Sequence, residues 1–374
     1  MKTNKKITLL SGDGIGPEVS KEAEKLLTVI EDQFNYKIDI EKKDFGGIAI
    51  DNHGVPLPED TLKTCQKSDA VLLAAIGGPK YDNLPREKRP ESGLLGLRAG
   101  LNAFANLRPV MVFDSLLDSS TIKKEMLQGT DLLVVRELTG GVYFGKPKGI
   151  EVRNNERVGF NNMIYTESEI KRIAKVAFEI ARKRKKKVTS IDKANVLDVS
   201  QLWRDVVIET SKNYSDVTLE HLYIDNAAMQ LIRNPRQFDV MLAENLFGDI
   251  LSDEAAMLTG SIGMLPSASL GDGKYPAIYE PVHGSAPDIA GKNLANPIAM
   301  TLSIAMMFKY SFNDEKVHDA IFNSVKKVLN AGYRTKDIYE EGKDGVTPSL
   351  LGTKEMGDLI CKNLFLPYLR FSSI

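Results

Sequence analysis

Strand-like and helix-like hydrophobic periods alternate along this chain, and that alternation restricts it to an α/β architecture. Lys6 to Leu10 reads as a strand, Ser11 to Pro17 as a Gly-rich turn, and Val19, Ala23, Leu26, Leu27 and Ile30 recur at helical spacing. A second unit follows, with an alternating strand at Ile38 to Lys42, a helix near Pro58 to Gln66, and the continuous apolar run Ala70 to Ile76. Such a run belongs inside a sheet covered on both faces. The rhythm returns in the middle of the chain. A helix is expected at Ser168 to Lys187, a strand at Val188 to Ile191, a helix around Leu197 to Tyr214, and strands near Val217 to Ile224 and at Asp239 to Leu242. Between Thr139 and Thr166, Gly, Pro and Asn punctuate short alternating segments, Gly141 to Phe144 and Ile150 to Val152, which predicts an antiparallel arm.

Length and charge exclude several classes of function. The 374 residues are enough for two domain-sized units. Lys and Arg total 49 against 50 Asp and Glu, so no global charge favours nucleic acid or an acidic membrane. The basic run Arg182 to Lys187 closes a predicted helix, where cations complement the dipole, and is not read as a nucleic-acid patch. Cys65 and Cys361 stand far apart, with no metal-ligand spacing, and fit a reduced compartment such as the cytoplasm. The longest apolar stretches, Ala70 to Ile76 and Ile298 to Phe308, fall short of the roughly 20 residues a membrane span needs. The amino-terminal residues lack the pattern of a secretory signal. No pattern assigns a role to Phe365 to Ile374.

Gly12-Asp13-Gly14-Ile15-Gly16-Pro17 sits where a dinucleotide fingerprint would, after a strand and before a helix. Its spacing differs from that fingerprint. One residue, Ile15, separates the second and third glycines where the Rossmann pattern has two, so a tight structural turn is the better reading and any NAD binds elsewhere.

Asp249 and Asp253 lie four apart in a helical segment in which Leu246, Ile250, Leu251, Ala255 and Leu258 are expected on the buried side. Like charges at that spacing repel. A hard divalent cation, magnesium or manganese, would give them a reason, with Asp225 in the polar turn after a strand as a third oxygen ligand. A solvated helix face is the alternative. Arg98, Arg108 and Arg136 are candidates for holding a di- or tricarboxylate through bidentate contacts. Lys193 is a candidate base and Tyr143 a candidate proton donor. The small-residue loop His283-Gly284-Ser285-Ala286-Pro287-Asp288 permits close backbone approach to a ligand. Asp288 there could accept both ribose hydroxyls of NAD and repel the extra phosphate of NADP.

Eight stretches in order, Gly12 to Val19, Gly77 to Lys80, Arg98 to Pro109, Arg136 to Gly141, Asp192 to Val196, Asp225 to Ala228, Asn245 to Asp253 and His283 to Gly291, resemble the metal-dependent decarboxylating dehydrogenases of the isocitrate and 3-isopropylmalate dehydrogenase family. The resemblance implies two α/β domains around a central cleft, without a Rossmann motif. Residues 1–103 plus 260–374 would form a large NAD-binding domain. Residues 104–259 would form a central substrate and dimerisation domain, with its arm near 139–166.

It also implies roles. Arg98, Arg108 and Arg136 would hold the malate-type carboxylates, and Asp225, Asp249 and Asp253 one Mg2+ or Mn2+. Lys193, helped by Asp225, would be the base and Tyr143 the proton donor. Gly78, Pro79, Lys80, Glu91, the loop His283 to Asp288 with Ile289, and Asn296 would bind NAD. Within Glu91-Ser-Gly-Leu94-Leu95-Gly-Leu-Arg98, the two leucines stand where isocitrate enzymes present a polar group. Leu94, Leu95 and Val196 from a second copy would therefore line a pocket for an isopropyl group. That points to 3-isopropylmalate as substrate, to 4-methyl-2-oxopentanoate as product, to leucine biosynthesis as the setting, and to a homodimer with shared sites. A sibling activity on D-malate, tartrate or homoisocitrate, a non-catalytic binding relative, and a hydrolase built on Asp249 and Asp253 are the alternatives.

Overall fold

The structure is a computed structural model that describes residues 2–341 and 348–364; Phe365 to Ile374 lie outside the described residues. The first half of the chain opens with β1 (Thr3–Gly12), α1 (Gly16–Gln33) and β2 (Tyr36–Lys42). Next come α2 (Gly47–His53), α3 (Glu59–Gln66), β3 (Ala70–Ala75) and α4 (Pro90–Gly100). After β4 (Ala105–Met111), α5 (Lys124–Leu127) and β5 (Asp131–Glu137), the chain leaves the sheet for an antiparallel hairpin, β6 (Lys148–Arg153) and β7 (Glu156–Asn161). It returns through α6 (Glu167–Arg182), β8 (Lys187–Asp192), α7 (Asp198–Ser211), β9 (Thr218–Tyr223), α8 (Ile224–Arg233), β10 (Val240–Ala243) and α9 (Asn245–Ala256). The last part holds β11 (Pro266–Leu270), β12 (Ile278–Pro281), α10 (Ile298–Tyr310), α11 (Glu315–Asn330), the short pair β13 (Tyr333–Arg334) and β14 (Ser349–Leu350), and α12 (Thr353–Asn363).

The expected α/β fold is realised as one ten-stranded sheet in the order β2-β1-β3-β12-β11-β4-β5-β10-β8-β9. Its outer strands pair in parallel on both sides, while β12, β11, β4 and β5 pair antiparallel in sequence. The two parallel sets therefore run in opposite directions and meet at β11 and β4. Such reversals of strand order open crevices beside a sheet. All six residues of β3 are buried, as its unbroken apolar run requires. Eleven residues of α10 are buried as well, which suits a helix apolar on every side, packed among α1, α11 and the sheet. Among the described residues no helix is long and apolar enough to cross a membrane.

Three local expectations change. Gly141 to Phe144 is not a strand: Gly141–Tyr143 forms a short 3-10 turn, because Gly141 takes a φ of 71° and the Tyr165 ring fills the space where a Cβ would be. Asp225 does not lie in a turn but in the first helical turn of α8, where a carboxylate complements the dipole. Ile250 faces outward, not into the core, and is 54% exposed. The basic run is internally matched at two positions, since Arg182 pairs with Asp216 while Arg184 bridges Asp131 and Asp239.

Candidate functional site

The reversal at β11 and β4 floors a cleft of about 340 Å³ lined by Leu94, Leu95, Arg98, Arg108, Arg136, Tyr143, Asp249, Glu91, Glu280, His283 and Gly284, among others. Three arginines from three elements converge there. Arg98 near the end of α4 donates from Nη2 to Glu280 Oε1 at 2.9 Å, and its Nε has no hydrogen-bond partner among the described residues. Arg108 on β4 donates from Nε to Asn106 Oδ1 at 2.8 Å and from Nη1 to Ser252 Oγ at 2.6 Å and Asp253 Oδ1 at 3.1 Å. Arg136 on β5 donates from Nε and Nη2 to Asn245 Oδ1 at 3.0 and 2.8 Å, and from Nη1 to Asp249. Burial, and then the charge of Arg108, lowers Arg136 to about 10, so it stays cationic at neutral pH.

Asp249 is the carboxylate these cations share. Burial opposes its ionisation, but Arg136 and Arg108 outweigh that and hold it below the usual carboxylate range. One helical turn on, Asp253 shifts the other way, raised by burial against the pull of Arg108. Tyr143 donates from Oη to Asp249 Oδ2 at 2.8 Å. Burial and the adjacent Asp249 charge push its phenol up to about 12, so it carries its proton throughout the neutral range.

Asn245, which residue type alone did not mark, joins two parts of this wall. Its Oδ1 takes Arg136, and its Nδ2 donates to the carbonyls of Leu138 at 3.2 Å and Gly140 at 3.0 Å, at the base of the turn that carries Tyr143. The preceding Glu244 caps α9, accepting from the N–H groups of Leu246 and Phe247. The sequence signal for both was their place at the start of the helix that bears the aspartates.

Lys193 and Asp225 are brought to each other, not to the cleft. Lys193 Nζ donates to Asp225 Oδ1 at 2.6 Å, which lowers the Asp225 carboxyl, and neither residue lines the cleft. Val196 is likewise outside the lining and is 68% exposed. Among the described residues no group of three acidic, His or Cys side chains is arranged to hold a metal, and Asp225 does not join Asp249 and Asp253 within one chain.

The expected cofactor residues divide. Glu91, His283 and Gly284 line the cleft. His283 is buried and its Nδ1 faces the Gly284 carbonyl, so that nitrogen carries the hydrogen and Nε2, unpartnered among the described residues, is left as an acceptor. Burial lowers its pKa and keeps it neutral. Gly78 precedes the 3-10 turn Pro79–Tyr81, and Lys80 Nζ pairs with Asp51 at 2.7 Å. Ser285 is buried, Ala286 and Ile289 are half-buried, and Pro287 and Asp288 are exposed on the same loop. Asn296 is committed elsewhere, donating to Asp337 at 3.0 Å and accepting from Ile298 N at 2.9 Å.

A sequence profile described as isocitrate/isopropylmalate dehydrogenase matches residues 6–360. The chain belongs to the isocitrate/isopropylmalate dehydrogenase family. It is 58% identical over 359 residues to 3-isopropylmalate dehydrogenase of Aquifex aeolicus, covering 96% of this chain and 97% of that one. Identity to the 3-isopropylmalate dehydrogenase of Nitrosomonas europaea is 57% over 359 residues, covering 96% and 99%. Among solved structures, isocitrate dehydrogenase from Methylococcus capsulatus superposes with a TM-score of 0.84 at 32% identity, covering 96% of this chain and 99% of that one.

Proposed function

We propose that this chain catalyses the NAD-dependent oxidative decarboxylation of 3-isopropylmalate to 4-methyl-2-oxopentanoate and carbon dioxide, a step of leucine biosynthesis carried out in the cytoplasm. The observation that carries the reading is the cleft itself, where three arginines, a protonated tyrosine and two leucines face one space. Arginines select carboxylates, and leucines in place of a polar group select a branched alkyl substituent.

In this reading Arg98, Arg108 and Arg136 orient the substrate's carboxylates, and Leu94 and Leu95 take the isopropyl group. Asp249 and Asp253 supply hard oxygen donors suited to magnesium or manganese, with Asp225 of a second copy as the third. Bound there, a divalent cation would acidify the substrate hydroxyl and stabilise enolate charge, while NAD would accept the hydride. Lys193 of the second copy, acting as the free amine, takes the hydroxyl proton and releases it to solvent, and Asp225 beside it holds the side chain in position. Tyr143, held by Asp249, gives its proton to the enolate carbon left after carbon dioxide departs. Glu91 and His283 face the nicotinamide side, and the loop through Asp288 takes the adenosine, favouring NAD over NADP.

A homodimer is part of the same reading. Ile150, Val152, Val196, Met229, Ile232 and Ile250 are exposed apolar side chains on the hairpin, the Lys193 turn, α8 and α9. Exposed apolar side chains on these elements support an interface. Residues 104–259 would form the central domain that presents this face, and residues 1–103 with 260–374 the larger NAD-binding one. The test is absorbance of NADH on mixing the protein with metal, NAD and 3-isopropylmalate, beside D-malate, isocitrate and NADP. Rapid NADH formation restricted to 3-isopropylmalate supports the reading; faster turnover of D-malate or isocitrate overturns the substrate, and no turnover of any acid overturns the activity.

A further inference from the structure

The Gly-rich turn Gly12 to Pro17 has the position of a phosphate cradle, yet its inner space is filled by the protein itself. Asp13 N donates to the Ala75 carbonyl at 2.9 Å, and Ile15 N donates to the Ser285 carbonyl at 2.8 Å. Gly14 has a φ of 57°, and a Cβ there would lie 2.0 Å from Ser285 O, so no other residue lets the turn approach that loop so closely. The Asp13 carboxylate turns away from this contact and accepts three backbone hydrogens. Oδ2 takes Gly47 N at 2.7 Å and Gly77 N at 2.8 Å, and Oδ1 takes Ile48 N at 2.8 Å.

Those partners are the two sides of the proposed cofactor site. Gly77 opens the segment Gly77 to Tyr81, whose Lys80 is tied to Asp51 on α2, the helix that begins with the same Gly47 and Ile48. Ser285 lies in the loop His283 to Ile289. We infer that Asp13 is a positioning residue for the cofactor. Its carboxylate clasps the Gly77 segment and α2 on one side of a turn whose backbone clasps the Ser285 loop on the other, which fixes the spacing between these two parts of the proposed cofactor site. Bonds from N–H groups to an ionised carboxylate are the strong kind, and a neutral side chain of the same shape replaces them incompletely. This inference rests on the NAD-dependent reading above.

The experiment is steady-state kinetics on Asp13→Asn and Asp13→Ala, with NAD and 3-isopropylmalate varied separately, alongside fluorescence titration with NADH, which needs no turnover. Asn keeps the shape and one acceptor oxygen; Ala keeps neither. The expected result is a KM for NAD and a Kd for NADH raised by about tenfold or more in Asp13→Ala and by less in Asp13→Asn, while the KM for 3-isopropylmalate stays near its original value. Gly14→Ala, which pushes on Ser285 O from the other side, is expected to raise the KM for NAD in the same selective way. A wild-type chain that forms no NADH removes the functional reading and this inference with it. An active wild type whose Asp13→Asn variant is folded but has unchanged NADH affinity, or loses both ligands alike, removes the inference alone.

Discussion

The arginine wall of the cleft and the face that carries Lys193 and Asp225 are built on opposite plans. In the wall, Arg108 and Arg136 are buried and nearly every guanidinium nitrogen is matched within the same chain, through Asn106, Ser252, Asn245 and the two aspartates. On the other face, Lys193 and Asp225 have each other, Asp225 is exposed, and apolar side chains such as Val196, Met229 and Ile250 stand exposed. Buried charge is tolerated only where its partners are in place, so the geometry of the wall is fixed by the chain itself. In the proposed function this half-buried lysine, beside exposed apolar groups, is one half of a site. The contrast is between cations matched inside one chain and a Lys193–Asp225 pair set beside exposed apolar side chains; in the proposed function, a second copy brings the two together.

The sharpest way to break the contrast is Lys193→Ala. Removing a general base is expected to lower kcat by about 10²- to 10⁴-fold. The KM for 3-isopropylmalate and the thermal unfolding temperature should hardly move, since the residue neither binds the carboxylates nor supports the core. A fall in stability equal to that of a core substitution would place Lys193 in the wrong class. Arg136→Lys is expected to do the reverse. It loses the paired donation to Asn245, so kcat/KM should fall by roughly 10- to 100-fold, mainly through KM, and stability should drop with it.

The apolar face offers a third break. Ile250→Asp places a charge where the second copy would pack, and light scattering should find half the mass together with lost activity, recovered in part at high protein concentration. A monomer with full activity would refute the half-site description. A smaller effect is expected of Leu95→Ala, which should reduce the preference for 3-isopropylmalate over D-malate by roughly tenfold. The smallest concerns pH. Tyr143 must be protonated to act as an acid, and its phenol is pushed up to about 12, so the kcat profile should show no loss of this donor between pH 7 and 10. A falling limb there that disappears in Tyr143→Phe would show the phenol to be far more acidic than its surroundings make it.

The strand–helix alternation made the architecture legible because buried parallel strands such as β3 must be continuous apolar runs, and period two or period 3.6 can be read without partners. The site was legible as a set of residue types: Arg98, Arg108, Arg136, Tyr143 and Asp249 do converge in one cleft. What spacing could not provide was which groups are spent on one another. Asn245 and Asp13 are ordinary polar residues in the sequence and become joints only when strands far apart in the chain are laid side by side. The turn at Gly141 was misread because its alternating pattern mimics a strand, whereas the packing of Tyr165 against it decides the backbone. Ile250 was misread because an apolar residue type does not say whether its side chain points into the core or outward.

The most direct measurement mixes two inactive proteins, Lys193→Ala and Arg136→Gln, under conditions that exchange chains, and follows NADH formation from 3-isopropylmalate. A mixed dimer pairs one intact arginine wall with one intact lysine, so activity should return to roughly a quarter of the wild-type level, from half the dimers carrying one good site of two. No recovery, with chain exchange verified by differently tagged copies, would mean that each chain completes its own site and would contradict the account.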